Sequence, residues 1–153
     1  MKPAGATPLH AGVIAGLHGA CFDGPHDTAW DEKAIFQILA MPGAFGFIAG
    51  GADGPCGFVL GRTAADECEI ISIGVIAAAR RSGVGRDLLV ATVDHARAAG
   101  ATRMYLEAAE NNEAARGFYE ISGFEPAGRR ARYYGRGSDS VDALVYALEL
   151  KAK

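Results

Sequence analysis

The sequence predicts a mixed α/β fold of three layers, in which about four helices flank one mixed, mostly antiparallel sheet of about six to seven strands. Three observations predict it. Short apolar runs form a meander in the first half of the chain, a helix then crosses to a further strand, and a second helix leads to a terminal hairpin. The 153 residues suit one hydrophobic core, so we expect a single domain over residues 1–153.

The first half of the chain predicts two helices followed by three strands. Leu9–Cys21 carries apolar residues at helical spacing, and a second helix over Asp31–Ala40 is stopped by Pro42-Gly43. No strand is visible ahead of these helices, among residues 2–8. The three strands are separated by turn signals and cover Phe45–Ala49, Cys56–Arg62 and Glu67–Ile76.

The second half predicts two more helices and four more strands. One helix covers Arg86–Ala99, with Gly100 as its C-cap. The other begins in the segment Asn111-Asn112-Glu113 and ends at Gly123. One strand lies between these helices and three follow them, the last two joined by a polar loop. They cover Thr102–Ala108, Phe124–Gly128, Ala131–Tyr134 and Val141–Leu150.

Charge and cysteine content argue against several classes of function. The formal net charge of −3 argues against bulk binding to nucleic acid or to an anionic membrane. Cys21, Cys56 and Cys68 are odd in number and form no Cys-x-x-Cys pair, so we expect neither a disulfide scaffold nor a zinc site. A reducing cytoplasm fits this cysteine usage best. The four histidines lack metal-ligand spacing, so we expect no metal.

Two apolar segments raise the question of a membrane. The run Ala11–Leu17 follows Lys2 in the manner of a signal peptide, but it is short and has a histidine at either side. Residues 34–52 carry no charged side chain and are long enough to span a bilayer. However, Pro42-Gly43 divides them into a helix, a turn and a strand. We therefore expect a cytoplasmic protein without a membrane-spanning segment.

The most informative motif is a glycine turn near the middle of the chain. The apolar run Ile70–Ile76 leads into Arg80–Gly85, and a helical pattern follows directly. The first N–H groups of a helix have no partner and its dipole favours negative charge there, so this arrangement can receive a phosphate group. A P-loop is excluded because Arg86-Asp87 stand where Lys and Ser or Thr are required. A dinucleotide fingerprint is excluded because Leu88 stands where glycine is required.

Two alternatives remain for this turn: an ordinary connection between a strand and a helix, or an acyl-CoA pyrophosphate site. Arg80, Gly83 and Gly85 match the acyl-CoA pattern Gln/Arg-x-x-Gly-x-Gly/Ala. Four segments in order give this match its context: Glu69–Val75, Arg80–Leu89, Leu106–Ala115 and Phe118–Phe124. With them the chain resembles the GNAT superfamily of acyl-CoA-dependent N-acyltransferases over roughly residues 29–150, and within it the ribosomal-protein alanine N-acetyltransferases of the RimI type. It departs from that family at residues 76–79, where an acidic residue and a proline are usual.

The resemblance implies a sheet that splays between its two central parallel strands, with acetyl-CoA in the resulting notch. The backbone of Ile73, Gly74 and Val75 would pair with the pantetheine amides, and the Val75 N–H would polarise the thioester carbonyl. The glycine turn would wrap the pyrophosphate, and a side chain of the next helix would contact the pantetheine arm. These further cofactor-binding residues are Arg80, Arg81, Ser82, Gly83, Val84, Gly85, Arg86 and Asn112.

The resemblance also implies two catalytic residues. Glu107 would be the general base that takes a proton from the acceptor amine, and Tyr119 the general acid that donates to the departing thiolate. Each has a plain alternative. Glu107 could be an ordinary sheet-surface residue, since Arg103 lies on the same face of the predicted strand, and Tyr119 could be a core aromatic beside Phe118.

The expected acceptor groove combines aromatic walls with a few charged groups. Its candidate residues are Trp30, Glu32, Tyr133 and Tyr134. The leading hypothesis is transfer of an acetyl group to a protein N-terminus, with a ribosomal protein among the candidate partners, in a monomer or weak dimer. Transfer to a small amine or a Lys side chain is the second hypothesis, and a non-catalytic acyl-CoA-binding module is the third.

Overall fold

The computed structural model describes residues 2–24, 28–134 and 141–150, with side chains for all of these except residues 132–134. Its helices are α1 (Ala11–Cys21), α2 (Glu32–Leu39), α3 (Val84–Ala98) and α4 (Glu113–Ile121). Its strands are β1 (Ala4–Ala6), β2 (Ala44–Gly51), β3 (Gly54–Ala64), β4 (Glu67–Val75), β5 (Arg103–Ala109), β6 (Glu125–Tyr134) and β7 (Val141–Glu149). Single 3₁₀ turns lie at Pro8–His10 and Ala77–Ala79.

The described strands form one seven-stranded sheet in the order β1-β2-β3-β4-β5-β7-β6. Neighbouring strands pair antiparallel except at the centre, where β4 and β5 are parallel. A parallel pair needs a crossover connection, and α3 supplies it. The predicted mixed, mostly antiparallel sheet with four helices is confirmed.

Two clusters of buried side chains lie on opposite sides of the sheet. The α3/α4 core joins those helices to the sheet through residues such as Leu88, Met104 and Tyr119. The α1/α2 core is built around residues such as Ile14 and Phe58. Within the described residues its strand members come from β1 to β4, so this helical layer lies over that half of the sheet. We call the corresponding face of β5, β7 and β6 the open face.

Helix boundaries follow the sequence signals closely. The Asp31 side chain accepts a hydrogen bond from Ala34 N at 2.8 Å and begins α2, and the Asn112 side chain accepts from Ala115 N at 3.1 Å and begins α4. Gly100 follows the end of α3 with φ +92°, a left-handed conformation that suits glycine. The predicted helix ends are thus confirmed to within a few residues.

One strand gave no clear signal in the sequence, and one predicted break between strands was wrong. The chain has a first strand, β1, which consists of Ala4, Gly5 and Ala6 paired with β2; small residues give no apolar alternation by which to detect it. The predicted strands Phe124–Gly128 and Ala131–Tyr134 are one strand, β6. Register shifts against β7 at residues 126–128 and 130–134 absorb the extra residues, so the ladder continues where the sequence suggested a break.

Candidate functional site

The centre of the sheet opens between β4 and β5. These two strands pair only at their beginnings, where Glu67–Glu69 lies beside Arg103–Tyr105. Beyond that point β4 continues along β3 as far as Val75, and β5 continues along β7 as far as Ala109. The two strands therefore diverge, and their facing backbone edges leave a notch in the sheet. This is the splay that the resemblance implied.

A bulge in β4 lies where the strands part. The neighbouring β3 residues Leu60 and Gly61 pair with Ser72 and Ile70, so Ile71 has no partner on β3. An extra residue of this kind bends its strand and increases the local twist. The bend therefore begins two residues after the last pairing of β4 with β5.

The bulge also decides which side chains line each core. Ile70 and Ile73 both pack into the α3/α4 core although they are three positions apart, and Ile71 packs into the α1/α2 core. In a regular strand residues three apart point to opposite faces. The inserted residue therefore allows Ile73 to point to the same side of the sheet as Ile70, towards α3.

The connection from β4 to α3 contains two left-handed residues. Arg81 has φ +63° and Gly83 has φ +89°, and Gly83 is the N-cap of α3 without a side-chain cap. The first backbone bond of the helix runs from Asp87 N to Gly83 O at 3.0 Å. The preceding N–H groups, those of residues 84–86, lie ahead of this bond and have no acceptor within the helix. Together with the helix dipole they form a receptor for an anion.

Contacts within this turn position it against the end of β4. Arg80 Nε donates to the carbonyl oxygen of Val75 at 3.0 Å, and the Ser82 hydroxyl donates to the carbonyl of Ala79. A Cβ at Gly85 would lie 3.5 Å from the Phe118 ring and 3.8 Å from Val75 Cγ2, so α3 begins where β4 and α4 meet. The N-terminus of α3 therefore lies beside the end of the notch.

Gly74 has a packing reason that the sequence did not reveal. A Cβ at this position would come within 2.9 Å of both Cys21 Sγ and the Phe58 ring. The end of α1 thus lies directly against β4, and only glycine allows this approach. Cys21 is half-buried, and burial raises the pKa of its thiol, opposed by the positive charge of Arg80.

Glu107 lies on the open face of the sheet. Leu106 and Ala108 point into the α3/α4 core, so Glu107, between them, points to the opposite side. Its side chain is 23% exposed, and its Oε1 lies 2.8 Å from Arg130 Nε. Arg103, which the sequence placed beside it, instead contacts Glu149 at 3.2 Å. The ionic partner of Glu107 therefore comes from β6.

Tyr119 lies in the α3/α4 core. Its residue is 7% exposed, and its ring lies 5.5 Å from that of Phe118, 5.9 Å from Phe124 and 6.2 Å from Tyr146. Asn112, two turns earlier, begins α4 and is exposed. The packing fixes where the Tyr119 ring lies, while the acid role of its hydroxyl remains a prediction.

The acceptor-groove candidates divide into two sets. Trp30 stacks on His18, with ring centroids 4.6 Å apart and planes inclined by 18°, and the backbone N–H of Trp30 donates to His18 Nδ1 at 3.1 Å. Glu32, in the first turn of α2, lies against α1, since a Cβ at Gly12 would come within 2.7 Å of its Oε1. The side chains of Tyr133 and Tyr134 lie outside the described residues.

His18 is a component that sequence reasoning missed. It is only 2% exposed and also stacks on Phe22, with ring centroids 4.4 Å apart. It is surrounded by aromatic rings and bound to the backbone of Trp30, so it anchors the segment before α2. Its position on the buried face of the first predicted helix was the available signal.

The described residues contain neither a membrane-spanning helix nor a candidate metal site. Across residues 2–24, 28–134 and 141–150, no helix combines the length and the apolar content needed to cross a bilayer. In the same part of the chain, no three His, Cys, Asp or Glu side chains gather in a way that could hold a metal ion.

Known proteins resemble the chain over most of its length. Residues 14–124 match the family model described as Acetyltransferase (GNAT) family. A Mycobacterium tuberculosis protein named N-alpha-acetyltransferase RimI is 38% identical over 132 residues, which cover 84% of this chain and 80% of that protein. The ribosomal protein bS18-alanine N-acetyltransferase of Salmonella typhimurium is 32% identical over 125 residues, 82% of this chain and 84% of that protein. An uncharacterized Mycobacterium leprae protein is 37% identical over 139 residues, and the chain spans only 37% of its length.

Solved structures share the same architecture. The ribosomal-protein-S18-alanine N-acetyltransferase of Escherichia coli superposes with a TM-score of 0.87 at 23% identity, covering 99% of this chain and 95% of that one. A Salmonella typhimurium protein solved with its cofactor acetyl-CoA superposes at 0.79 with 18% identity, covering 99% and 95%. Nourseothricin acetyltransferase superposes at 0.68 with 31% identity, covering 72% of this chain and 67% of that one.

The family match and the relatives agree with the geometry of the notch. The matched region extends from α1 through the diverging strands, the glycine turn and α3 to the end of α4. The chain therefore belongs to the acetyltransferase (GNAT) family and is an acetyl-CoA-dependent N-acetyltransferase.

Proposed function

We propose that the chain transfers an acetyl group from acetyl-CoA to the free α-amino group of a protein N-terminus, of the ribosomal-protein alanine type. The observation that carries the proposal is a carboxylate, Glu107, held on the open face of the sheet beyond the point where β4 and β5 part. Two relatives named for this type of reaction, each matched over more than four fifths of the chain, support the choice of acceptor.

The notch fits the shape and chemistry of the cofactor. Beyond Glu69 the edge of β4 has no β5 partner, so the backbone groups of residues 73–75 that face the notch are available to the amides of the pantetheine arm. The exception is the Val75 carbonyl, which already accepts a hydrogen bond from Arg80 Nε. The N–H groups at the start of α3 suit its pyrophosphate. A Cβ at Gly83 would meet no atom within 4 Å, so the turn leaves open space there. In this proposal residues 80–86 bind the phosphates and Asn112 contacts the arm.

Two side chains would manage the protons of the reaction. Model amines have pKa values of about 7.7 for an N-terminus and about 10.4 for lysine, so at neutral pH the acceptor is largely protonated and must lose a proton before it attacks. Glu107 takes that proton, directly or through a water. The Tyr119 hydroxyl donates a proton to the departing thiolate, and the Val75 N–H polarises the thioester carbonyl.

The thioester supplies an activated acetyl group, so the amine attacks it directly in a ternary complex and no covalent acyl-enzyme is needed. In this proposal the acceptor approaches along the open face, because the Glu107 side chain points there. Trp30, anchored by His18, and Glu32 form the wall on the α1/α2 side. Tyr133 and Tyr134 are kept as groove candidates on the sequence alone.

Transfer to a small amine is the second candidate function. The similarity to nourseothricin acetyltransferase, 31% identical over 72% of this chain, favours it. Both candidates use the same cofactor site in the notch. They require different acceptor sites, which in this proposal lie along the open face.

A panel of acceptors separates the candidates. Release of free coenzyme A thiol would be measured with peptides that begin with free Ala or Ser, with the same peptides blocked at the N-terminus but containing Lys, and with polyamines and aminoglycosides. The proposal expects turnover on the free N-terminal peptides and none on the blocked ones. Turnover confined to the small amines would overturn the choice of acceptor. Acetyl-CoA binding without thiol release on any acceptor would indicate the third hypothesis, a binding module.

A further inference from the structure

We infer that Arg130 is a positioning residue that holds the carboxylate of Glu107 in place for proton transfer. The inference rests on the proposed function, in which Glu107 is the general base. Arg130 itself contacts neither the thioester nor the amine, and it acts through its ion pair with Glu107.

The ion pair is short and partly shielded from solvent. Arg130 Nε lies 2.8 Å from Glu107 Oε1, and the two side chains are 58% and 23% exposed. A charge-assisted N–H to carboxylate bond of this length restricts the carboxylate to one orientation. Arg130 contacts Oε1, so the proton from the acceptor would go to the second oxygen, Oε2.

The sheet register gives Arg130 a clear path to Glu107. Glu107 pairs with Val145 on β7, which pairs with Gly128 on β6, whereas Arg130 pairs with Ala143, two residues further along the ladder. Adjacent strands lie about 4.8 Å apart, so the two residues are separated by two strand spacings and an offset of two residues. The long Arg130 side chain crosses this distance to reach Glu107, and the residue opposite it on β7, Ala143, has only a methyl group.

The charge of Arg130 suits this task. A guanidinium stays protonated at neutral pH and cannot accept the proton that Glu107 removes. In the proposed function the amine would approach Glu107 and thus also the positive charge of Arg130, and a positive neighbour disfavours the ammonium form of an amine. Arg130 therefore orients the base without competing for its proton.

The chain provides a matched control in the adjacent residue. Arg129 is 51% exposed, close to the 58% of Arg130, and lies on the same strand. Its guanidinium contacts Glu110 at 3.0 Å and Asp142 at 2.6 Å. Replacing either arginine by methionine removes one positive charge from β6, but only one of the two changes releases Glu107.

The test compares Arg130→Met, Arg130→Lys and Arg129→Met in the full chain, with a free N-terminal peptide as acceptor. We expect Arg130→Met to lower kcat about tenfold, a part of the roughly 10²- to 10⁴-fold that a positioned base contributes, with the KM for acetyl-CoA unchanged. Arg130→Lys should recover part of kcat, because an ammonium can still contact Oε1. Arg129→Met should keep the wild-type kcat. Unchanged kcat in Arg130→Met would overturn the inference.

A double-mutant cycle with Glu107→Gln shows whether Arg130 acts through Glu107. We expect Arg130→Met to have no further effect on kcat once Glu107 is replaced. An equal tenfold loss in both backgrounds would contradict the inference, although the proposed function would stand. If instead Glu107→Gln alone kept full activity, the assignment of Glu107 as the base would fail. This result differs from an equal loss in both backgrounds, so the two failures can be told apart. Thermal melting of each variant checks folding, and melting temperatures close to wild type are expected because the guanidinium partner of the pair is largely exposed.

Discussion

The two walls of the notch are built in different ways. The wall formed by β4, the glycine turn and α3 presents backbone groups: a strand edge without a partner and the first N–H groups of a helix. The wall formed by β5, β7 and β6 presents side chains, above all Glu107 held by Arg130 from two strands away. Backbone geometry suits the repeated amides and phosphates of a cofactor, while side chains can be changed to suit an acceptor without disturbing the sheet.

The largest expected effect is on the side-chain wall. Glu107→Gln keeps the size of the side chain but cannot take a proton, so we expect kcat to fall roughly 100-fold or more. Acetyl-CoA affinity, measured by calorimetry, should stay within twofold of wild type if the two walls work separately. A variant that kept full turnover, or that lost cofactor binding together with turnover, would break the comparison.

Tyr119→Phe is expected to have the next largest effect. The ring is retained, so its packing against Phe118, Phe124 and Tyr146 should survive and the melting temperature should change little. Loss of the hydroxyl should lower kcat roughly tenfold or more if it protonates the departing thiolate. Steady-state kinetics together with thermal melting test both statements. A stable variant with full kcat would leave Tyr119 a core aromatic only.

The two glycines at the ends of α3 test the backbone wall. Gly83 and Gly100 have φ +89° and φ +92°, and a Cβ at either would meet no atom within 4 Å. Alanine at each position should therefore cost a similar backbone strain, about 1 kcal/mol in the free energy of unfolding. Only Gly83→Ala, at the phosphate end, should weaken acetyl-CoA binding. If the turn of the free variant relaxes to relieve the strain, binding has to restore the strained conformation, and about 1 kcal/mol corresponds to about fivefold weaker binding. Equal affinities in the two variants would show that the turn does not contact the cofactor.

The smallest effect concerns the last turn of α3, away from both walls. The ring of His95 packs against that of Phe45 in a tilted arrangement, with centroids 4.1 Å apart, and burial lowers the pKa of His95 below its usual 6.5. The unfolded chain therefore binds the proton more readily. The stability that this site contributes is present above pH 6.5 and is lost as the pH falls through the lowered pKa.

His95→Phe removes this titration and can keep the ring contact with Phe45. The difference in melting temperature between about pH 7.5 and about pH 5.5 should thus be smaller in the variant than in the wild type. Acetyl-CoA affinity at neutral pH should be the same in both proteins. A pH dependence as steep in the variant as in the wild type would show that His95 has no part in it.

The sequence predicted the backbone wall better than the side-chain wall, and the reason is local spacing. Gly83 and its neighbours in the sequence predict a turn and the start of a helix within a few residues of each other. Glu107 and Arg130 meet only because β7 lies between β5 and β6, a pairing that no short motif encodes. The sequence accordingly placed Arg103 beside Glu107, on the correct strand face but not in contact.

The remaining differences have similar physical causes. β1 went undetected because Ala4, Gly5 and Ala6 have no large side chain to show a pattern. The bulge at Ile71, which begins the divergence of the strands, is invisible in an apolar run where every residue suits a core. No motif in the sequence singles out His18, yet its contact with Trp30 holds the segment expected to meet the acceptor.

A structure of the protein crystallised with acetyl-CoA tests the central claim most directly. The account predicts the pantetheine arm between β4 and β5, paired with the backbone of residues 73–75, and the pyrophosphate oxygens within about 3 Å of the N–H groups of residues 84–86. Cofactor bound elsewhere, or a notch still closed to it at saturating concentration, would contradict the account.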